Sequence, residues 1–237
     1  LSKLKSLSDP QMVNELKTQL TNATSPTPSV ETILHAILPF KYVDHTHADA
    51  VVTISNTSDG EERIREIYGN RVVIVPYVMP GFDLAKEVGR LFSEMASDET
   101  EGIVLLNHGI FSFGSTARKS YDRMIDLVNL AEQYLVSQNA WDNEEPLTNV
   151  KSKKIRNDVS QLRQRISSAT GNPVLLNLTN SQLGTSFSNR DDVEIIATRG
   201  PLTPDHVIRT KRIPMIGRDV EKYVKEYISY FNTHKTN

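Results

Sequence analysis

Short apolar runs rich in β-branched residues alternate along the chain with longer amphipathic segments, and this alternation constrains the fold most strongly. The run RVVIVPYV, which begins at Arg71, and the run Gly102–Leu106 have the length and composition of strands. The segment DLAKEVGRLFSEMA and residues 115–138 carry apolar side chains at helical spacing. Strands that alternate with helices in this way predict an α/β fold.

The remaining segments before residue 139 add shorter elements. Residues 1–22 predict a short polar helix, and residues 59–68 predict another that ends at Gly69. VETILHAILPF has one apolar helical face and is ended by Pro39. The β-branched run Val51–Ile54 has the composition of a strand. On the long helix of residues 115–138, the side predicted to be buried carries Ile125, Val128, Ala131 and Leu135.

The chain is predicted to divide at a polar segment. Residues 1–138 form the first domain, residues 139–150 (NAWDNEEPLTNV) form a linker, and residues 151–237 form a C-terminal extension. The extension reads as a second α/β unit, with a charged helix, a strand PVLLNLT and an apolar-faced terminal helix.

Composition excludes several classes of function. The 237 residues include no cysteine, so disulfides and thiolate metal sites are excluded. A net charge of −2 gives no basic surface for nucleic acid, and no apolar run approaches the roughly 18 residues of a membrane span. We therefore expect no nucleic-acid or membrane partner and a cytoplasmic protein. The chain begins at Leu1 rather than Met, so we expect its N-terminus to be incomplete.

Two histidines one residue apart, in KYVDHTHADAVV, form the most informative local pattern. In a strand, His45 and His47 share a face, roughly 7 Å apart. His108 follows an apolar strand, where ligand-bearing loops occur in α/β sheets. Three imidazoles with an open position suit a catalytic zinc, and Asp44 and Asp49 could orient the rings. Imidazoles also satisfy hydrogen bonds in protein cores, so spacing alone leaves both interpretations open.

Glu31 lies at the start of an apolar helix, four residues before His35, so both face one side. A carboxylate near a bound cation could act as a general base or as a displaceable ligand. An exposed glutamate favoured by the helix dipole is the competing interpretation, and the pattern alone favours it.

The ordered set SVETILH, DHTHADAV, VPYVMPG and LLNHGIF resembles the class II aldolase/adducin family. It is most similar to the N-terminal part of bifunctional rhamnulose-1-phosphate aldolase/short-chain dehydrogenase proteins, and ATRGPLTPDHVIRTKRIP supports that subgroup. The resemblance covers nearly all of the chain from Ser29 onward. It implies a three-layer α/β/α fold with a central mixed sheet, plus a smaller C-terminal α/β unit.

The resemblance also implies residue roles. The metal ligands would be His45, His47 and His108, which hold Zn²⁺ or another divalent metal. Glu31 matches the catalytic glutamate and Tyr77 is a candidate acid, although a strand tyrosine packed in the core is the competing interpretation. The residues implied for substrate and phosphate binding are Ser29, His206 and Arg209. A solvated loop competes with a binding role for the segment that contains the last two.

The implied reaction is cleavage of a deoxyketose 1-phosphate, similar to rhamnulose 1-phosphate, to dihydroxyacetone phosphate and an aldehyde. Epimerases and dehydratases of the family use the same metal site, and adducin-like members are non-catalytic but lack the histidines. The family implies a homo-oligomer, commonly a tetramer, with a sugar phosphate as its small-molecule partner. Because no Gly/Asn/Ser phosphate loop precedes Ser29 and no G-x-G-x-x-G motif follows, we expect a natural short form or a fragment with impaired catalysis.

Overall fold

The computed structural model of the chain describes residues 1, 3–141, 156–179, 181–203 and 210–235. The chain divides into two compact units. The first comprises Leu1–Asp142 with Leu202–Pro204, and the second comprises Asn143–Pro201 with Asp205–Asn237. Most of the predicted linker, residues 142–150, lies outside the described residues, and the predicted domain boundaries stay a prediction.

The first unit contains helices and strands in alternation. Its helices are α1 (Asp9–Thr18), α2 (Thr32–Ile37), α3 (Asp49–Ser55), α4 (Gly60–Tyr68), α5 (Phe82–Met95) and α6 (Ala117–Ser137). Its strands are β1 (Tyr42–Thr46), β2 (Val72–Val75), β3 (Gly102–Leu105) and β4 (Gly109–Gly114). The predictions of α4, α5, α6, β2 and β3 are therefore confirmed.

The four strands form one mixed sheet in the order β1-β4-β3-β2. β1 pairs antiparallel with β4, and β4 pairs antiparallel with β3. β3 runs parallel to β2, and the crossover between these two strands contains α5. The short turn from β3 to β4 therefore lies beside the end of β1, because β4 is the neighbour of both strands.

Helices cover both faces of this sheet. Alternate strand side chains, such as Val73, Val75 and Phe111, pack on one face against residues of α1, α2 and α5. Their neighbours, such as Ile74 and Ile110, pack on the opposite face against α3, α4 and α6. The predicted three-layer α/β/α arrangement with a central mixed sheet is confirmed.

Two local predictions for the first unit are wrong. The β-branched run Val51–Ile54 forms the middle of helix α3, where Val51 and Ile54 are 0% and 2% exposed. Burial at i, i+3 spacing overrides the β preference of branched side chains here. In α6, Ile125 is 41% exposed, and the buried side carries Ser120, Met124, Leu127, Ala131 and Leu135. Strand β4, which the sequence patterns did not indicate, is fully buried.

The second unit contains helices α7 (Arg156–Thr170), α8 (Gln182–Ser188), α9 (Val193–Ala197) and α10 (Val220–His234) among its described residues. The predicted strand PVLLNLT, residues 173–179, is irregular instead, and Leu175 is 92% exposed. An apolar run forms a strand only where a neighbouring strand completes its backbone hydrogen bonds, and the described part of this unit offers none. Within the described ranges, no helix has the length and apolar character that a membrane crossing requires.

Candidate metal centre

Four side chains of the first unit converge at one end of the sheet. They are Glu31, His45, His47 and His108. One donor atom from each lies within 4.8 Å of the donor atoms of the other three, and His108 is the most deeply buried. These residues stand up to 77 positions apart in the sequence, so the fold itself assembles the group.

Strand pairing explains how the histidines meet. His45 lies in β1 and His47 directly follows this strand, while His108 occupies the turn between β3 and β4. The turn is tight because Asn107 adopts a left-handed backbone, with φ of 59°. The His108 amide donates to the Leu105 carbonyl at 3.2 Å, which closes the turn. The β1–β4 pairing then places the end of β1 beside this turn.

Glu31 joins the histidines from a different element, the start of helix α2. It directly precedes helix α2, and its backbone amide donates to the Ser29 hydroxyl oxygen at 3.2 Å. Its Oε1 lies 2.9 Å from His108 Nε2 and 3.4 Å from His45 Nε2. The competing interpretation of Glu31 as an exposed first-turn residue does not hold, because its side chain is only 19% exposed.

The environment keeps the Glu31 carboxyl ionised. Burial on its own raises the pKa of Glu31, but contacts with His108 and His45 and the positive charge that these rings carry when protonated outweigh burial. The pKa of Glu31 therefore lies well below its usual range. A carboxylate and three imidazoles provide one negative charge and up to four donors for a cation.

The orientation of His45 suits metal binding through Nε2. Its Nδ1 lies 3.0 Å from the Ile110 carbonyl oxygen, and because a carbonyl can only accept, Nδ1 carries the proton. The lone pair of the neutral ring is therefore on Nε2, which is buried and points at the Glu31 carboxylate, 3.4 Å from Oε1. A histidine whose other nitrogen donates to a carbonyl is typical of metal sites.

The spacing of the donors fits a small divalent ion. Zinc binds imidazole at about 2.0–2.1 Å in tetrahedral sites, which separates neighbouring donors by roughly 3.4 Å. Donors at most 4.8 Å apart reach such a centre with inward shifts of about 1 Å or less. Ions that prefer oxygen ligands, such as Mg²⁺, suit this site less well, because three of the four donor atoms of the site are nitrogens.

The other residues predicted for the site lie outside the donor group or outside the described residues. Ser29 is exposed, and its hydroxyl oxygen accepts the Glu31 amide hydrogen. Tyr77 follows the end of β2, is 46% exposed and contacts the Met79 sulfur at 3.7 Å, so its interpretation as a core strand residue is wrong. The roles of Ser29 and Tyr77 stay predictions. His206 and Arg209 lie outside the described residues.

The carboxylates proposed to orient the rings are both exposed. Asp44 alternates with His45 on β1 and therefore faces the other side of the sheet. The Ile110 carbonyl orients His45 instead. Asp49 begins helix α3. His35 in α2 is half-buried and packs edge-on against Phe111, and it is not part of the donor group.

Sequence reasoning missed the residues of β4 that contact the histidines. Ile110 accepts a hydrogen bond from His45, and the Phe111 ring stacks on the His45 ring with centroids 4.0 Å apart. The glycine that directly follows His108 was the available signal, because a glycine beside a candidate ligand indicates a close approach.

Two family models and a solved structure point to the same family. The family model described as the class II aldolase and adducin N-terminal domain matches residues 3–135, and the model of the aldolase class II second domain matches residues 153–237. The solved N-terminal class II aldolase domain of a conserved protein from Thermoplasma acidophilum is 46% identical, with a TM-score of 0.52. That match covers 56% of this chain and 61% of the solved chain.

A curated relative covers almost the whole chain. The uncharacterized oxidoreductase YuxG of Bacillus subtilis (strain 168) is 31% identical over 266 aligned residues. The match includes 99% of this chain but only 37% of YuxG. The chain therefore spans little more than a third of that relative.

Proposed function

Because the chain belongs to the class II aldolase and adducin family, we propose that it binds one zinc ion and cleaves a carbon–carbon bond in a sugar phosphate. The observation that carries this proposal is the convergence of Glu31, His45, His47 and His108, with donor atoms within 4.8 Å of one another. Three imidazoles would hold the metal, and the carboxylate beside them would handle protons.

Retro-aldol cleavage leaves negative charge on the carbonyl fragment. When bound, a divalent metal supplies a Lewis acid that stabilises this developing charge. Glu31 Oε1 lies 2.9 Å and 3.4 Å from the Nε2 atoms of His108 and His45, so within the proposal its carboxylate is close enough to accept the proton that the substrate hydroxyl loses as the bond breaks. The same carboxyl group can return a proton to the carbon fragment before product release.

The proposed substrate is a deoxyketose 1-phosphate similar to rhamnulose 1-phosphate, which would give dihydroxyacetone phosphate and lactaldehyde. This part rests on the sequence resemblance. Within the proposal, Ser29 contacts the phosphate, and the Tyr77 hydroxyl donates a hydrogen bond to the substrate oxygen that becomes the aldehyde carbonyl. Both side chains are exposed, so substrate or a neighbouring subunit can reach them. A homo-oligomer, such as a tetramer, is part of the same proposal.

Product analysis tests the proposed reaction against its alternatives. With rhamnulose 1-phosphate and stoichiometric zinc, we expect release of dihydroxyacetone phosphate, detected by coupled reduction to glycerol 3-phosphate. Isomerised substrate without cleavage would indicate an epimerase, and loss of water would indicate a dehydratase. A protein that binds no metal and turns over none of these substrates would indicate an adducin-like scaffold.

A further inference from the structure

The first three residues of β4 contact His45 in β1 and lie close to His47 directly after it, although none of the three has a metal-binding side chain. In the antiparallel β1–β4 pair, His45 stands directly opposite Phe111. Their rings stack with centroids 4.0 Å apart and planes inclined by 16°. Phe111 is fully buried, so its ring is a fixed surface against one face of the imidazole.

Ile110 fixes the rotation of the same imidazole. A stacked ring can still flip by 180° about its Cβ–Cγ bond, which keeps the ring plane but exchanges nitrogen and carbon positions, and the hydrogen bond from His45 Nδ1 to the Ile110 carbonyl opposes that flip. Because the acceptor is a backbone atom of a paired strand, it cannot rotate away as a carboxylate side chain could. Together the two contacts define the direction in which His45 Nε2 points.

Gly109 leaves the space that the two rings occupy. A Cβ atom at this position would lie 2.8 Å from His47 Cδ2, 3.1 Å from His45 Cε1 and 2.6 Å from the Thr46 carbonyl oxygen. Real side chains essentially never approach that closely, so any larger residue must displace the rings or separate β1 from β4. The absence of a side chain is what lets His45 and His47 converge.

We infer that Gly109, Ile110 and Phe111 form a positioning segment that sets the affinity and geometry of the metal site. This inference rests on the proposed function, because it assumes that His45 and His47 bind the ion. It goes further by assigning the orientation of both rings to three consecutive residues of β4. Residues that orient metal ligands typically change metal affinity by about 10–100-fold when they are replaced.

A pair of phenylalanines on one strand provides the most selective test. Phe111 and Phe113 are both fully buried on the same face of β4, but Phe113 stacks on Phe40 instead of on a histidine. Phe111→Leu and Phe113→Leu therefore remove the same volume from the same core. We expect similar losses of melting temperature in the metal-free proteins, but zinc affinity about tenfold lower only in Phe111→Leu.

Two glycines provide a second matched pair. At Gly60, a Cβ atom would lie 2.6 Å from the Ser55 carbonyl oxygen, as close as the clash with Thr46 at Gly109, but its three nearest atoms belong to the backbone of Ile54 and Ser55. We expect Gly60→Ala to lower stability and leave metal affinity unchanged. Gly109→Ala should reduce zinc affinity about tenfold or more and change the visible absorption spectrum of bound Co²⁺, which reports coordination geometry.

Competition with a chromogenic chelator measures these affinities in the whole 237-residue chain. If Gly109→Ala does not fold, the comparison of Phe111→Leu with Phe113→Leu still tests the inferred positioning role. Equal zinc affinity and equal Co²⁺ spectra in Phe111→Leu and Phe113→Leu would overturn the inference. A wild-type chain that binds no zinc would instead overturn the proposed function, so the two failures are distinguishable.

Discussion

The Glu31 carboxylate contacts two of the three imidazoles, and its side chain is mostly buried. Under the proposed function, this side chain can exchange protons with a substrate bound to the metal that the three rings hold. Its position follows from the start of α2, because the Ser29 hydroxyl accepts the Glu31 amide hydrogen and holds the backbone there.

Replacing Glu31 by glutamine keeps its size but removes the base. We expect Glu31→Gln to retain metal through the three imidazoles and to lose turnover by a factor of about 10²–10⁴. Metal content and aldol cleavage rate would be measured on the same sample, with the exposed glutamate variant Glu66→Gln as control. Wild-type turnover in Glu31→Gln would show that this carboxylate is not the base.

Tyr77 permits a separate test, because its exposed ring contributes little to the core. We expect Tyr77→Phe to change the free energy of unfolding by less than about 0.5 kcal/mol, as is usual for surface positions. If Tyr77 donates this hydrogen bond to the aldehyde oxygen, its loss lowers the cleavage rate about 10²-fold while metal content stays unchanged. An unchanged cleavage rate would remove Tyr77 from the proposed mechanism.

At the scale of elements, α4 and α6 are joined by a buried hydrogen bond. The Tyr68 hydroxyl donates to the Leu127 carbonyl at 2.9 Å, and burial raises the pKa of Tyr68 above its ordinary value of 10.0. The folded state therefore prefers the neutral phenol more strongly than the unfolded chain does.

This raised pKa predicts alkaline destabilisation. The contribution of Tyr68 is complete below pH 10.0 and is lost as pH rises toward the higher pKa of the folded state, at up to about 1.4 kcal/mol per pH unit. We expect Tyr68→Phe to lose about 1 kcal/mol at neutral pH and to show a shallower decline above pH 10.0. Urea unfolding at several pH values measures both effects, and the exposed Tyr121→Phe is the control. Identical alkaline slopes in Tyr68→Phe and wild type would contradict the assignment.

The elements that sequence patterns predicted correctly are those whose periodicity is local. Helix α5 and strand β2 can be predicted because the spacing of apolar residues within each segment already indicates its type. Helix α3 and strand β4 depend on partners far along the chain, so the local pattern predicts a strand instead of a helix at Val51–Ile54 and does not indicate β4. The same limit applies to the site, because the Ile110 carbonyl becomes a partner of His45 only through the register of two distant strands.

At the scale of the whole molecule, the four donor side chains of the candidate metal centre come from parts of the first unit that are distant in the sequence. Glu31 precedes α2, His45 and His47 lie at the end of β1, and His108 lies between β3 and β4. An unfolded chain cannot hold these donors together, so metal binding favours the folded state.

Metal addition should therefore stabilise the protein measurably. At a free zinc concentration 100 times the Kd, binding adds about 2.7 kcal/mol, which corresponds to a rise in Tm of about 5–10 °C for a chain of this size. Differential scanning fluorimetry with and without a chelator measures the shift. A Tm that zinc and chelator leave unchanged would contradict metal binding by the folded state.

The most direct measurement is the metal content of purified wild-type protein and of single histidine variants, determined by elemental analysis after zinc loading and dialysis. We predict one zinc per chain in wild type, and loss of most of it in His45→Ala, His47→Ala and His108→Ala. The exposed His234 at the end of α10 offers the control His234→Ala, which should keep the full amount. Zinc that is absent from wild type, or retained equally in all four variants, would contradict the account.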